Sequence, residues 1–222
     1  MSILKKKKWI LIVFVVLVVF ALTVAAQEET DEILDFYQKR AGEVFKSRNP
    51  LEAGVTYSFE STTYHKSFDK DYNIFIKDST VEKYFFSFGK LDSIQIITPP
   101  KKSIDSLDFT YPNVFTGEYK YNFFPNDTGG NEISIGYDSY EYNTSLPVGI
   151  ATIDRDRYFL KNLYLHIMNS KSIYRRSKAI RFIELEGYVF PDSLWELKTK
   201  RGIFSTEFYR IETGIKNIKI QR

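Results

Sequence analysis

Alternating apolar and polar residues dominate the C-terminal part of the chain, from Ala179 to Ile220. Ile180 and Phe182 would lie on one side of an extended strand, because successive side chains of a strand point to opposite faces. Trp195 and Leu197 alternate in the same way with charged neighbours. The pattern is interrupted by turn-forming residues at Gly187, Pro191-Asp192-Ser193 and Arg201-Gly202. This stretch therefore predicts antiparallel hairpins with one buried face.

The same two-residue alternation recurs through most of the preceding chain. Its segments are 54–66, 72–76, 84–88, 94–96, 119–123, 133–137, 148–154 and 158–168. Residues typical of turns separate most of these segments. We expect a mainly β fold of the α+β class, which is a strongly curved antiparallel sheet or an unclosed β-barrel of roughly nine to eleven strands.

A helical pattern runs from Glu28 to Asn49. Thr30 is a suitable N-cap, apolar residues then recur at helical spacing, and Asn49-Pro50 ends the pattern. We expect this helix to cover the concave side of the sheet, either against one face or in the mouth of a barrel. The irregular segment from Pro99 to Thr116 predicts a long loop or a short lid.

The first 26 residues have the layout of a secretory signal peptide. Lys5 to Lys8 form a basic region, an apolar run from Trp9 to Leu22 follows, and small residues lead to a predicted cleavage before Gln27. The alternative is an uncleaved anchor, because residues 9–26 are just long enough to span a bilayer. We expect residues 27–222 to form a single exported domain in the periplasm or cell envelope of a bacterium, tethered to the inner membrane if the segment stays attached.

Composition narrows the class of function. Aromatic residues make up 17% of the 222 residues, which suits half-buried strands. Without Lys5 to Lys8 the chain has 27 basic and 28 acidic residues, a net charge of −1. This balance gives no electrostatic footprint for nucleic acid. Cysteine is absent, which excludes disulfides and thiolate chemistry.

No motif in the sequence indicates catalysis. Asp127 and its neighbours match no calcium loop and are typical of a hairpin turn. The acidic and basic residues from Asp154 to Arg157 indicate charge alternation at a strand end, and His65 and His166 lie in no catalytic motif. A basic loop from Asn169 to Ser177, extending to Lys178, could meet lipid headgroups or an acidic partner, but a solvated loop is the simpler interpretation. We expect no enzyme activity, no metal and no cofactor.

Two segments carry a resemblance to a known family. They are the helix opening Asp31–Tyr37, DEILDFY, and the strand, glycine and proline series Ile183–Asp192, IELEGYVFPD. With the exported layout, they make the chain resemble the LolA-like periplasmic lipoprotein carriers and the related LppX-type lipid-binding proteins. The resemblance implies an unclosed barrel whose cavity holds acyl chains of lipids or lipoproteins, and it adds membrane-associated envelope proteins as partners.

Aromatic residues of the predicted strands are the candidates for the cavity wall. They are Tyr57, Phe59, Tyr84, Phe86, Phe88, Phe182 and Phe208. An apolar wall binds an acyl chain through burial alone, at about 25 cal/mol per Å². The alternative is that the same residues fill a solid core.

Other classes of function stay open at this point. Alternating strands and many tyrosines also fit a small outer-membrane barrel or a structural envelope protein. A hydrolase without a recognisable motif is a further alternative, with Asp154 as the residue to test.

Overall fold

The computed structural model describes residues 3–71, 73–101, 111–116, 118–124, 130–139, 146–168, 174–201 and 206–221. One helix, α1, spans Ile3–Arg48. Ten strands follow in the described residues: β1 Tyr57–Phe68, β2 Ile74–Ser87, β3 Lys90–Thr98, β4 Tyr119–Phe124, β5 Glu132–Ser139, β6 Val148–Asp154, β7 Leu160–Met168, β8 Tyr174–Leu185, β9 Tyr188–Arg201 and β10 Thr206–Ile220. The chain divides into two compact units, Met1–Gln38 and Lys39–Arg222, and the sheet belongs to the second.

All ten strands form one antiparallel sheet, in the order β3-β2-β1-β10-β9-β8-β7-β6-β5-β4. Neighbours in the sheet are neighbours in sequence, except that the last strand pairs with the first. In the part of the chain that is described, the sheet is not closed into a barrel, and β3 and β4 are its two edges. The predicted fold, mainly β with an N-terminal helix and an unclosed sheet, is confirmed. The connection from β3 to β4 leads from one edge of the sheet to the other.

The helix differs from the prediction at its start. It begins at Ile3 and continues through Thr30, so Thr30 is not an N-cap. Its end agrees with the prediction, because Arg48 is the last helical residue and Pro50 cannot continue the helix. Among the described residues, none of the helical structure combines the length and the apolarity needed to cross a membrane. Cleavage before Gln27 stays a prediction.

Among the residues that the structure describes, two hairpins turn through glycine. Phe88 and Gly89 connect β2 to β3 with φ angles of 52° and 72°, and Glu186 and Gly187 connect β8 to β9 with φ angles of 51° and 84°. Positive φ at both central positions is typical of two-residue turns that match the twist of a sheet. Gly89 is also sterically required, because a Cβ there would lie 2.1 Å from the carbonyl oxygen of Leu51.

Two local predictions in the C-terminal stretch are wrong. Pro191-Asp192-Ser193 is not a turn, because β9 continues through it with an irregular register opposite Arg181 and Phe182. The residues Arg175, Arg176 and Lys178 do not lie in a solvated loop, because β8 begins at Tyr174 and carries them into the sheet. Lys171, and the predicted turn around Asp127, lie outside the described residues.

The registers define two faces of the sheet. The inner face carries most of the buried apolar residues, and the outer face carries their immediate neighbours in sequence. Across the middle strands the inner face follows the pairs Thr63↔Thr213, Thr213↔Leu194, Leu194↔Ile180, Ile180↔Leu163, Leu163↔Ala151 and Ala151↔Ile135. All of these residues are buried, so the inner face is the core side.

Candidate ligand-binding site

Four of the predicted wall residues form one aromatic layer on the inner face of β1 and β2. Tyr57 stacks on Phe86 with ring centroids 4.5 Å apart and an interplanar angle of 2°. Phe59 stacks on Tyr84 at 5.2 Å and 17°. Each pair lies directly across the two strands, where side chains are closest. We refer to Tyr57, Phe59, Tyr84 and Phe86 as the aromatic layer.

The aromatic layer is a packed part of the core. Val55, Phe190 and Ile215 are buried against it, and the ring of Phe190 meets Tyr57 edge-on at 5.2 Å. Burial raises the pKa of Tyr57 well above its ordinary value. Burial, and then the hydrogen bond of 2.6 Å to Glu82, does the same for the pKa of Tyr84. Both phenols therefore stay protonated. Their rings are stacked and buried, so they fill the core instead of lining an opening.

The other three predicted residues lie elsewhere. Phe182 is buried on the inner face of β8. Phe88 has left strand β2 and lies in its hairpin turn, where its side chain is 80% exposed. Phe208 is opposite Phe68 on the outer face, because it is three positions away from the inner-face residue Ile211. The alternation of Tyr84, Phe86 and Phe88 concealed the turn that ends the strand at Ser87.

Two segments that are distant in sequence form a cover over the inner face around Phe182. One is the end of the helix, residues 39–48, and the other is the segment 111–116 of the connection between β3 and β4. Phe45 meets Tyr111 edge-on at 5.9 Å, and Tyr111 meets Phe182 edge-on at 5.0 Å. The two segments approach closely at Gly42, where a Cβ would lie 3.2 Å from the carbonyl oxygen of Phe115. We refer to residues 39–48 and 111–116 as the cover.

Tyr111 is the central residue of this arrangement. Burial, and then the neighbouring Tyr57 and Glu52, raises its pKa well above the ordinary value. Its hydroxyl donates a hydrogen bond of 3.4 Å to Asn49 Oδ1 at the end of the helix. A tyrosine that stays protonated can bury its ring against Phe182 while its hydroxyl remains bonded. Sequence analysis missed it because it lies in an irregular segment beside Pro112.

A small apolar cavity of about 10 Å³ remains between the cover and the sheet. Its lining residues are Val44, Phe45, Asn49, Tyr111, Phe159, Leu160, Phe182 and Val189. A space of this size holds at most about one water molecule and no acyl chain as it stands. The partly hollow interior expected from the sequence is not found at this place, which the protein's own side chains fill.

Ion pairs join the rim of the cover to the sheet. Glu184 of β8 accepts a hydrogen bond of 3.1 Å from Arg48 at the end of the helix, and it also pairs with Arg157. The Arg157 guanidinium lies 4.8 Å from the centre of the Phe159 ring. The side chains of Arg48 and Glu184 are 37% and 23% exposed, so solvent screens their attraction. We refer to the Arg48–Glu184–Arg157 group as the latch.

Part of the inner face is polar but buried. Glu196 and Lys178 are each only 2% exposed and lie opposite each other on β9 and β8, and Arg176 also pairs with Glu196. Thr63 and Thr213 place their hydroxyl oxygens 3.0 Å apart across β1 and β10. The alternation had grouped Glu196 and Lys198 away from the apolar Trp195 and Leu197. In the structure it is Glu196 that faces the core side.

The residues considered for catalysis have structural partners. Asp154 is nearly buried, and its Oδ1 accepts the backbone N–H groups of Asp156 and Arg157 at 3.1 and 2.9 Å, which fixes the turn between β6 and β7. His166 Nδ1 lies 2.7 Å from Ser177 Oγ, its direct cross-strand neighbour. Within the described residues, no three acidic or histidine side chains are grouped so that they could hold a metal ion.

Comparison with known proteins shows similarity only among solved structures. No protein-family model matches the chain, and no curated protein does. A putative outer membrane lipoprotein-sorting protein domain from Vibrio parahaemolyticus is similar with 11% identity and a TM-score of 0.41, over 83% of this chain and 92% of that chain. A LolA superfamily protein from Nitrosomonas europaea has 10% identity and a TM-score of 0.35, over 85% and 94%.

A chain of the MucA/MucB complex of Pseudomonas aeruginosa is similar as well, with 7% identity and a TM-score of 0.25 over 85% of this chain and 99% of that chain. The LolA group that the sequence resembles thus occurs again among similar solved structures. Identities and TM-scores of this size describe a distant likeness in fold alone.

Proposed function

We propose that the chain is a non-enzymatic carrier for acyl chains of lipids or lipoproteins, exported to the periplasm or cell envelope of a bacterium. The acyl chain binds between the cover and the inner face, and membrane-associated envelope proteins deliver or receive it. One observation carries the proposal: an almost entirely apolar junction is closed by a cover whose rim is joined to the sheet by partly exposed ion pairs.

The small cavity requires the cover to move before a ligand enters. A palmitoyl chain offers roughly fifteen methylene or methyl groups, and each one gains about 0.8 kcal/mol on burial. Exposing Phe45 and Phe115 costs roughly 1.5–3 kcal/mol for each ring. The balance therefore favours exchange of the protein's own side chains for an acyl chain at this junction.

The latch is compatible with such an exchange because breaking its ion pairs costs little free energy. An ion pair between partly exposed side chains contributes about 0–1 kcal/mol. Arg48 is the last helical residue, so loss of its bond to Glu184 removes an ion pair that joins the end of the helix to the sheet at the rim. The latch then controls how fast the junction opens more than how tightly a ligand is held.

Binding of cis-parinaric acid, a fluorescent fatty acid, to the full chain tests this proposal. We expect saturable binding, and we expect Arg48→Gln to increase the association rate at least twofold because it weakens the latch. The matched control is Arg40→Gln, which removes the same charge from an ion pair with Glu43 inside the helix. This control is expected to bind at the rate of the unmodified chain.

Equal association rates for the Arg48 and Arg40 variants would contradict the role of the latch. Absence of saturable binding would contradict the carrier function itself.

The packed aromatic layer favours a second candidate, a structural envelope protein with a filled core. Native mass spectrometry of the purified chain separates the two. The carrier is expected to retain lipid in a fixed stoichiometry, and the structural protein is expected to appear at its sequence mass alone.

A further inference from the structure

The outer face carries a straight row of large side chains across the middle of the sheet. Tyr64, Glu212, Trp195, Ala179 and Tyr164 lie directly opposite one another on β1, β10, β9, β8 and β7. The row therefore contains three aromatic residues, with one small residue between the last two. Tyr64 and Tyr164 are 51% and 42% exposed, which is unlike the buried aromatic layer on the inner face.

The next row on the same face is built from smaller or polar residues. Gly214, Ser193, Arg181 and Asn162 are paired in that order across β10, β9, β8 and β7. Together the two rows line an open groove of about 570 Å³. A Cβ at Gly214 would meet no atom within 4 Å, so the absence of this side chain contributes to the open space.

The spacing between strands sets the room between Trp195 and Tyr164. Trp195 and Tyr164 stand on either side of Ala179, two strands apart, which is about 9.5 Å in the direction of the backbone hydrogen bonds. A ring between two aromatic side chains needs a contact of roughly 4 Å on each side, which is about 8 Å in total. The spacing of the strands therefore leaves room for one six-membered ring above Ala179.

The charges of the groove are balanced within the protein. Arg181 pairs with Asp192, and Glu212 pairs with Arg210. No net charge is left to favour a phosphate or an ammonium group. The guanidinium, amide, hydroxyl and carboxylate groups still offer both donors and acceptors of hydrogen bonds. This combination complements a neutral ligand with many hydroxyl groups.

We propose that this groove is a second binding site, which takes a pyranose ring of an oligosaccharide. The sugar ring stacks between Trp195 and Tyr164 through C–H groups of its two faces, and its hydroxyl groups bond to Asn162, Arg181 and Ser193 at the rim. Binding pockets of this kind join apolar walls to a few polar groups that fix the orientation of the ligand. The site is independent of the acyl-chain site, because it lies on the opposite face of the sheet.

Tryptophan fluorescence of the full chain provides the test. The chain contains two tryptophans, Trp9 and Trp195, so the Trp9→Phe variant leaves Trp195 as its sole reporter. The probes are chitotetraose, cellotetraose and maltotetraose, with phosphocholine as a probe for an aromatic cage that binds a cation. We expect a saturable change in emission with at least one of the three sugars and none with phosphocholine.

Two variants locate the binding. Tyr164→Ala removes one wall and is expected to weaken sugar binding at least tenfold. Gly214→Val fills the groove and is expected to weaken it by a similar factor, with an unchanged or higher melting temperature. The matched control is Phe88→Ala, which removes an exposed aromatic side chain from the distant hairpin turn and is expected to leave binding unchanged.

No saturable response to any of the three sugars at millimolar concentration would overturn the proposal. A response to phosphocholine in their place, or a sugar response that survives both groove variants, would overturn it as well.

Discussion

The two faces of one sheet use aromatic residues in opposite ways. On the inner face, Tyr57 and Phe59 stack on residues of the next strand and are buried with them. On the outer face, Tyr64 and Tyr164 stand in an open groove and remain about half exposed. Tyr57, Phe59 and Tyr64 belong to the same strand, β1. The difference therefore lies in the face that each residue occupies and in what covers that face.

Aromatic residues on the two faces contribute differently to folding stability and to ligand binding. Rings that stack on each other beneath other side chains contribute to the free energy of folding. Rings that stand apart over an alanine or a glycine contribute little to folding but leave space for a ligand. We therefore expect substitutions on the two faces to differ strongly in their effect on the free energy of unfolding.

The largest expected effect is on the inner face. Phe59→Ala removes a buried ring from the centre of the aromatic layer, and it is expected to lower the free energy of unfolding by about 3–5 kcal/mol. Urea denaturation followed by circular dichroism measures this change. A loss below about 1 kcal/mol would mean that the layer is loosely packed, which would contradict the difference in packing between the two faces.

Buried polar residues of the inner face come next. Glu196→Ala leaves the buried Lys178 and the half-buried Arg176 without this carboxylate and is expected to cost about 3 kcal/mol. The same denaturation experiment applies. The control is Glu43→Ala, which breaks an exposed ion pair in the helix and is expected to cost less than about 1 kcal/mol. Similar losses in both variants would show that Glu196 is solvated.

Substitutions in the threonine pair are expected to lower the free energy of unfolding by less, and their effects are not additive. Thr63→Val or Thr213→Val alone leaves one buried hydroxyl without its partner and is expected to cost about 1–2 kcal/mol. The double variant is expected to cost less than the sum, because no hydroxyl is then left over. A double-mutant cycle checks this, and strict additivity would contradict the hydrogen bond between them.

Two glycines, one on each face, are expected to respond to an added side chain in opposite ways. Gly214→Val on the outer face adds a β-branched side chain in open space and is expected to stabilise the protein by about 0.5–1 kcal/mol. Gly149 is its inner-face counterpart, where a Cβ would lie 1.9 Å from the carbonyl oxygen of Tyr164. The control Gly149→Ala is expected to cost about 1–3 kcal/mol. Thermal unfolding of both variants tests the contrast, and stabilisation by both would refute it.

The smallest expected effect is on the outer face. Tyr64→Ala is expected to change the free energy of unfolding by no more than about 0.5 kcal/mol, because the ring is half exposed. It is the counterpart of Phe59→Ala on the same strand. A loss of several kcal/mol would show that the outer row is part of the core.

The alternation of residues predicted the strands well because it follows directly from the geometry of a strand. It located β1, the second half of β8 and the two ends of β2, which it treated as separate segments, and it identified the four residues of the aromatic layer. It failed where a strand begins or ends. Phe88 continues the pattern of Tyr84 and Phe86, but the turn has already started there.

Alternation also says which residues share a face without saying which face is buried. Trp195 and Leu197 are the more apolar set on β9, yet Glu196 lies on the core side because Leu194 and Ile180 fix the register around it. The cover was beyond prediction for another reason. Tyr111 packs against Phe182 because of the topology, which leads the chain from edge strand β3 to edge strand β4, and no local pattern encodes that route.

Photo-crosslinking with a diazirine-bearing palmitate tests the acyl-chain site most directly. The full chain is irradiated with this probe, and the labelled peptides are identified by mass spectrometry. We predict labels at the junction of the cover and the sheet, in the peptides that contain residues 44–49, 111–116, 159–160 and 182–189. Labels confined to residues 9–26 or to the outer-face groove, with the junction unlabelled, would contradict an acyl-chain site beneath the cover.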